Sequence, residues 1–281
     1  MCKNLIRKQA PLPFQGQKRN FVVRFAHEIS NLPDNTIFVD LFGGSGLLSR
    51  TAKDIKPNCR VIYNDFDSYH SRIENIPRTN ALLNELRPVL ANVPKAKLLP
   101  PEIKKKTLEI IERYEFSGYV DYITLSASIL FSMKYATSLA ELRKMSLYNK
   151  IKQSDYNENS QYLKGLEIRN CDYKLLYNEF KDNPQAFFIC DPPYLSTDVK
   201  TYKMYWKLRD YLDVLKCLTG NRFAYFTSDK SNLVELLEWM QKELELKNPF
   251  DGAKIFTIKN TLNHTSSYND IMIFKNGLNT I

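Results

Sequence analysis

Thr36-Ile37-Phe38-Val39-Asp40-Leu41-Phe42-Gly43-Gly44-Ser45-Gly46, running on into Leu47-Leu48-Ser49-Arg50-Thr51-Ala52-Lys53, decides the architecture. A short, largely apolar run stops at a glycine-rich turn and becomes a helical pattern, which reads as strand, turn and helix. Beyond Pro57, Arg60-Val61-Ile62-Tyr63 is a second short strand, closed by Asn64-Asp65-Phe66-Asp67. Two strands joined through a helix make a βαβ unit, which requires a parallel sheet and a right-handed crossover. Glycines at the carboxyl end of a first strand let the backbone approach a ligand closely. An acidic residue about twenty positions on, at the end of the second strand, is placed to hold ribose hydroxyls. Asp65 meets that spacing, with Asp67 as the alternative.

Working outward, strand and helix alternate again toward the C-terminus. Ala186 to Cys190 reads as a buried strand, Leu208 to Leu218 as a helix ending at Gly220, Arg222 to Phe226 as a strand and Leu233 to Lys242 as a helix. Lys254 to Ile258 and Ile271 to Phe274 are close enough to pair as a hairpin through the polar stretch 263–269. The middle differs. Leu82-Leu83-x-x-Leu86 and Ile103 to Ile111 carry helical periodicity with basic residues throughout. Lys95, Lys97 and Lys104 to Lys106 surround Pro94, Pro100 and Pro101 as an exposed connection. The expected fold is therefore α/β, with a sheet formed by residues 1–70 and 168–281 and a helical insertion over 71–167.

Composition bounds the function. The 281 residues carry 40 Lys+Arg against 31 Asp+Glu, a formal charge of +9, with 43% hydrophobic residues and 9 glycines. That is a packed globular chain, neither disordered nor fibrous, and its positive balance suits either a polyanionic partner or a plainly solvated lysine surface. No continuous apolar run approaches a membrane span, and Met1 to Lys8 lacks the core of a signal peptide, so the expectation is a soluble, cytoplasmic protein with no membrane partner. Cys2, Cys59, Cys171, Cys190 and Cys217 are far apart, without CxxC spacing, and are read as reduced. His27, His70 and His264 form no ligand spacing, and no metal is expected.

The second chemical signal is Asp191-Pro192-Pro193-Tyr194, directly after the buried strand. Two prolines end the strand and fix the backbone, so that the Asp191 carboxylate and a backbone carbonyl face the cleft at the carboxyl end of the sheet. Such a site suits an amino group on an aromatic ring. Its lone pair is delocalised, and accepting hydrogen bonds from its two hydrogens draws the nitrogen toward a geometry in which that pair is available. Tyr194 can stack on the flat base; the plainer reading is a strand-ending turn with a surface aromatic.

Phe14-Gln15-Gly16-Gln17-Lys18, the glycine turn, Asn64-Asp65 and Asp191-Pro192-Pro193-Tyr194 occur in the order seen in Dam-type (D12 class) DNA adenine-N6 methyltransferases, which the sequence resembles over about residues 13–70 and 168–275. The tetrapeptide followed by Leu195, Tyr202 and Tyr205-Trp206 is similar to that of short phage and bacterial members. The resemblance implies a Rossmann-like, S-adenosylmethionine-dependent sheet whose inserted helical subdomain recognises the target. It implies S-adenosylmethionine over Gly43, Gly44, Ser45 and Gly46, Asp65 on its ribose, Phe14 and Lys18 near its methionine end, Asp172 on its adenine amino group and Tyr173 against that ring. Asp191 and Tyr194, with Pro192 and Pro193, would hold a target adenine flipped from double-stranded DNA for direct displacement at N6, without a metal.

The hairpin by which Dam enzymes read GATC has no counterpart in the middle region. Its place is taken by the basic stretch Arg143, Lys144, Tyr148, Lys150 and Lys152, which reads as a DNA surface or as a solvated helix face. Tyr202, Tyr205 and Trp206 are read as core packing or as a cover for the flipped base. Asp40 is read as bonding to backbone amides of the glycine turn. The functional expectation is a monomeric, site-specific adenine methyltransferase of a bacterial cell or phage, of the kind found in restriction-modification. The alternatives are an inactive nucleic-acid-binding relative and an enzyme acting on RNA or on a protein glutamine amide.

Overall fold

The computed structural model describes residues 7–131, 134–158, 161–193, 206–263 and 266–277. Its strands are β1 (Ile37–Asp40), β2 (Arg60–Asn64), β3 (Glu167–Arg169), β4 (Ala186–Cys190), β5 (Phe223–Ser228), β6 (Lys254–Asn263) and β7 (Ser266–Lys275). Its helices are α1 (Val22–Ser30), α2 (Leu47–Ile55), α3 (Tyr69–Glu74), α4 (Ile76–Leu90), α5 (Pro101–Ser117), α6 (Tyr122–Ile129), α7 (Leu139–Lys144), α8 (Tyr173–Phe180), α9 (Leu208–Leu218) and α10 (Leu233–Leu244). The chain divides into two units, Met1–Gln9 with Gln17–Asp67 and Leu163–Ile281, and Ala10–Gly16 with Ser68–Tyr162. No helix among the described residues is long and apolar enough to cross a membrane.

The first unit is a seven-stranded sheet in the order β3-β2-β1-β4-β5-β7-β6. β1 to β5 pair in parallel, and β7 runs antiparallel between β5 and β6. This is a Rossmann-like α/β sheet with one antiparallel strand inserted near its edge. Covering both faces demands strands that are apolar on both sides, and β4 is wholly buried. Phe188 and Cys190 pack with Val39, Leu176, Val214 and Leu237 beneath α8, α9 and α10. Phe187 and Ile189 pack on the opposite face with Phe25, Phe38 and Leu48 beneath α1 and α2. The register places Asp40 beside Tyr63 on one side and Ile189 on the other. Asp65 and Asp191 each follow that level by two residues, at the same end of the sheet.

The second unit is helical. Leu82, Leu83, Leu86 and Leu90 of α4 pack with Ile111 of α5, Leu125 and Ile129 of α6 and Leu142 of α7. The segment 10–16, placed with the sheet by the sequence reading, packs here instead. The Tyr69 hydroxyl accepts from the Leu12 amide at 3.0 Å, and Phe14 meets the Tyr69 ring edge-on at 5.7 Å. The Arg72 guanidinium donates to the Pro13 carbonyl at 2.7 Å and to both Asp121 oxygens at 3.0 Å. Buried hydrogen-bonding groups leave that segment no cheaper position.

Candidate active site

The glycine turn is fixed by the strand beside it. A Cβ on Gly43 would lie 2.2 Å from Tyr63 Cε2 and 2.8 Å from the Asn64 carbonyl oxygen, so only glycine fits. Gly44 and Gly46 take φ of +49° and +69°, the left-handed region that glycine enters without strain. The Tyr63 hydroxyl sits 2.7 Å from the Gly44 carbonyl oxygen and 3.1 Å from Asp65 Oδ1, which ties the turn to the acidic residue ending β2. Asn64 Nδ2 donates to the Leu41 and Cys171 carbonyls, both at 3.0 Å, and Asn170 Nδ2 donates to the Asp65 carbonyl at 2.9 Å. Asp65, wholly buried, is thus locked beside Gly43 to Gly46, whereas Asp67 lies two residues beyond and half-exposed. Asp172 caps α8, its Oδ1 accepting from the Lys174 amide at 2.8 Å. Tyr173 begins that helix and packs on Phe42 with centroids 4.8 Å apart.

At the end of β4, Asp191 Oδ2 accepts from Lys18 Nζ at 2.7 Å, and both side chains are largely buried. Asp191 Oδ1 is buried and has no partner among the described residues. Burial pushes the Asp191 carboxyl up to about 6; the Lys18 charge opposes the rise and Asp270 adds to it. Asp270 itself accepts from Asn260 Nδ2 at 2.5 Å, and Asn260 Oδ1 accepts from Asn20 Nδ2 at 2.9 Å, so the β6–β7 hairpin reaches toward the same carboxylate. Asp40 Oδ2 accepts from Ser49 Oγ at 2.6 Å, and the backbone amide of Phe42, at the head of the glycine turn, also donates to the carboxylate. Burial first, and the Asp191 charge besides, push the Asp40 carboxyl up to about 7.

Folded Asp40 holds its proton up to about pH 7, against an ordinary value of 3.8, so between those values the folded chain binds more protons than the unfolded one. Stability contributed by neutral Asp40 is then complete below about pH 4 and is lost as pH rises through about 7. Asp40→Asn keeps an acceptor for Ser49 and stays neutral. Scanning calorimetry is expected to show its advantage over the native chain growing with pH from about 4 to 7, by on the order of 2–3 kcal/mol between pH 5 and pH 8, with the two chains most alike below about pH 4. An advantage independent of pH would contradict the assignment.

The other expected site residues make contacts of their own. Phe14 lies in the helical unit against Tyr69, and Lys18 bonds the acceptor carboxylate Asp191. Pro192 and Pro193 follow β4 as expected, while Tyr194 lies outside the described residues, as do Tyr202 and Tyr205. The basic stretch lies on a helix only at Arg143 and Lys144. α7 ends at Lys144, and the chain then runs extended, its Tyr148 bridging to Leu98 and Asn149 N donating to the Lys97 carbonyl at 2.9 Å. Arg143 is paired with Glu112 at 2.6 Å. Lys152 donates to the Asp155 carbonyl at 2.8 Å and lies over the Tyr156 ring. Tyr148 packs on Phe131. The sequence reading missed Tyr63, Asn260 and Asp270, and left Asp40 outside the chemistry.

A parallel sheet ending in a glycine turn, with the buried Asp65 and Asp191 at the same end, is the site's frame, and comparison with known proteins shows the family. Residues 14–219 match the model of the D12 class N6 adenine-specific DNA methyltransferases, and the chain belongs to that family. It is 35% identical over 280 residues, covering 95% of this chain and 92% of its relative, to a Haemophilus influenzae protein named "Putative methyltransferase". A precorrin-6y C5,15-methyltransferase from Geobacter metallireducens superposes over 94% of both chains with 8% identity and a TM-score of 0.36, too low to carry any argument.

Proposed function

We propose that this methyltransferase transfers the methyl group of S-adenosylmethionine to N6 of an adenine in double-stranded DNA. The observation that carries the reading is Asp191: one oxygen held by Lys18, the other buried, unpartnered and at the ligand end of the sheet. An amino N–H is the donor such an oxygen lacks. Lys18 keeps the carboxylate ionised and oriented against a burial that alone would neutralise it. The residues present fit the cofactor. A backbone cradle that a Cβ at Gly43 would fill, with Asp65 beside it, suits a nucleoside. When bound, S-adenosylmethionine supplies an electrophilic methyl on a sulfonium; the chain positions the amine, accepts its hydrogen bond and excludes water. The helical unit of residues 68–162 is the part proposed to read DNA, in a cytoplasmic setting.

Incubating the chain with methyl-labelled S-adenosylmethionine and unmethylated duplex, then digesting to nucleosides, tests this. Label in N6-methyldeoxyadenosine is expected. With RNA and protein offered in parallel reactions, label only in those supports the alternative acceptors, and none at all supports an inactive binding relative.

Salt dependence tests the DNA surface. Lys144 and Lys150 have no ion pair among the described residues, whereas Arg143 is compensated by Glu112. Each phosphate contact contributes a log–log slope of roughly −0.9, so Lys144→Ala with Lys150→Ala should flatten the slope by about two, and Arg143→Ala by much less. Anisotropy of a labelled duplex between low and physiological salt reads this. An unchanged slope in the double variant would move the surface to Lys95, Lys97, Lys105 and Lys106, which are exposed.

A further inference from the structure

A second carboxylate shares a face of the sheet with Asp191. Ile189 of β4, Met272 of β7 and Ile258 of β6 all pack in the cluster beneath α1. Asp191, Asp270 and Asn260 each stand two residues from one of these, and side chains two apart along a strand share a face. β7 runs antiparallel to β5, so Asp270, opposite Ser228, lies at the end by which the chain leaves β4 and β5. The turn leading into α1 engages both carboxylates. Lys18 Nζ donates to Asp191 Oδ2 at 2.7 Å. Asn20, two residues on, donates to Asn260 Oδ1 at 2.9 Å, and Asn260 Nδ2 donates to Asp270 Oδ2 at 2.5 Å. The Asn260 amide uses its oxygen toward the turn and its nitrogen toward Asp270, so it cannot flip without losing both bonds. The Phe21 amide closes the turn on the Lys18 carbonyl at 2.9 Å.

We propose that Asp270 is a positioning residue of the methyl-transfer site, fixing the Lys18–Asp191 pair through Asn260 and the turn at Asn20. The inference rests on the methyltransferase reading and adds the terminal hairpin to it. A displacement of about 1 Å at a reacting group can cost up to roughly 10²-fold in rate, so the hold on this pair is measurable. The Asp270 charge gives a second readout, because it raises the Asp191 carboxyl while Lys18 lowers it. The other titratable groups whose charges couple to Asp191 are Asp40 of β1, Cys190 of β4 and Tyr225 of β5.

Two variants separate tether from charge. Asp270→Asn removes the charge and keeps an oxygen for Asn260, whereas Asn260→Ala removes both links of the tether and keeps the charge. In a chain isotope-labelled at its aspartate carboxyl carbons, the NMR resonance lost in Asp191→Asn reports Asp191. Asp270→Asn is expected to lower its titration midpoint by about half a pH unit, since a neighbouring negative charge no longer opposes ionisation, and the acid limb of kcat should move with it. At pH 8, where Asp191 is ionised in either case, Asn260→Ala should reduce kcat about tenfold, with S-adenosylmethionine affinity within about twofold of native and the acid limb in place. An unmoved midpoint in Asp270→Asn, or native kcat in a folded Asn260→Ala chain, overturns the role. A native chain that methylates no DNA while the midpoint still follows Asp270 overturns the functional reading and leaves the hold on Asp191 standing.

Discussion

Asp191→Asn is expected to lower the methyl-transfer rate by at least about 10²–10³ while S-adenosylmethionine binding changes less than about threefold. The substitution keeps the size of the side chain but removes the charge that Lys18 holds at 2.7 Å and that the amino hydrogen is to meet. An amide oxygen is a weaker acceptor, and its NH₂ group offers a donor where the amine also donates. Losing the charge leaves the Lys18 ammonium buried without its carboxylate, which costs stability on the scale of a broken buried pair, roughly 3–5 kcal/mol. Thermal unfolding of the variant therefore has to accompany the kinetics. Protonation gives the native chain the same defect. With the carboxyl near 6, activity should fall as pH drops through about 6, and this limb should be absent from whatever residual rate Asp191→Asn keeps. A residual rate within tenfold of native in a folded variant would remove Asp191 from the chemistry.

Gly43→Ala should be nearly as damaging, by another route. The added methyl would stand 2.2 Å and 2.3 Å from two ring atoms of Tyr63 and 2.8 Å from a backbone oxygen. Tyr63 is fully buried and its hydroxyl is engaged with the turn, so the ring has nowhere to go. Overpacking of this severity costs about 3 kcal/mol or more, which for a chain of this size lowers Tm by roughly 6–12 °C. Relaxation would push the turn away from β2, so cofactor affinity should fall more than about tenfold. Gly277→Ala, with nothing within 4 Å, is the control and should leave both unchanged. A Gly43→Ala chain with native Tm and native affinity would mean that the turn is not the cradle.

Much of this was legible in the chain, and the exceptions have physical causes. β1, β4 and α9 announce themselves because a run buried on both faces or an amphipathic stripe must be written in apolar residues. β3 carries no such run. Only three residues long and partly exposed, it is held by its parallel ladder to β2 and by the Arg60–Glu167 pair across that edge. The terminal hairpin extends beyond its apolar segments, to 263 and from 266, because backbone pairing continues where side-chain patterning stops. Of the two readings of the basic stretch, the helix face fails beyond Lys144 because the period changes there. Leu147, Asn149 and Ile151 are buried in alternation, the spacing of an extended chain, and the intervening residues point outward. The motifs Asp191-Pro192-Pro193 and Gly43 to Gly46 were visible, but their partners were not. Lys18 meets Asp191 across most of the sequence, and Asp270 reaches it from the last strand, contacts that only the fold creates.

The most direct test is to express the chain in a host free of DNA methylation and sequence its genome with base-resolved modification detection. Methylated adenines confined to one recurring sequence context, and absent when Asp191→Asn is expressed at the same level, are the expected result. Unmodified DNA from cells containing folded, S-adenosylmethionine-binding protein, or methylation that persists in Asp191→Asn, would contradict the assignment.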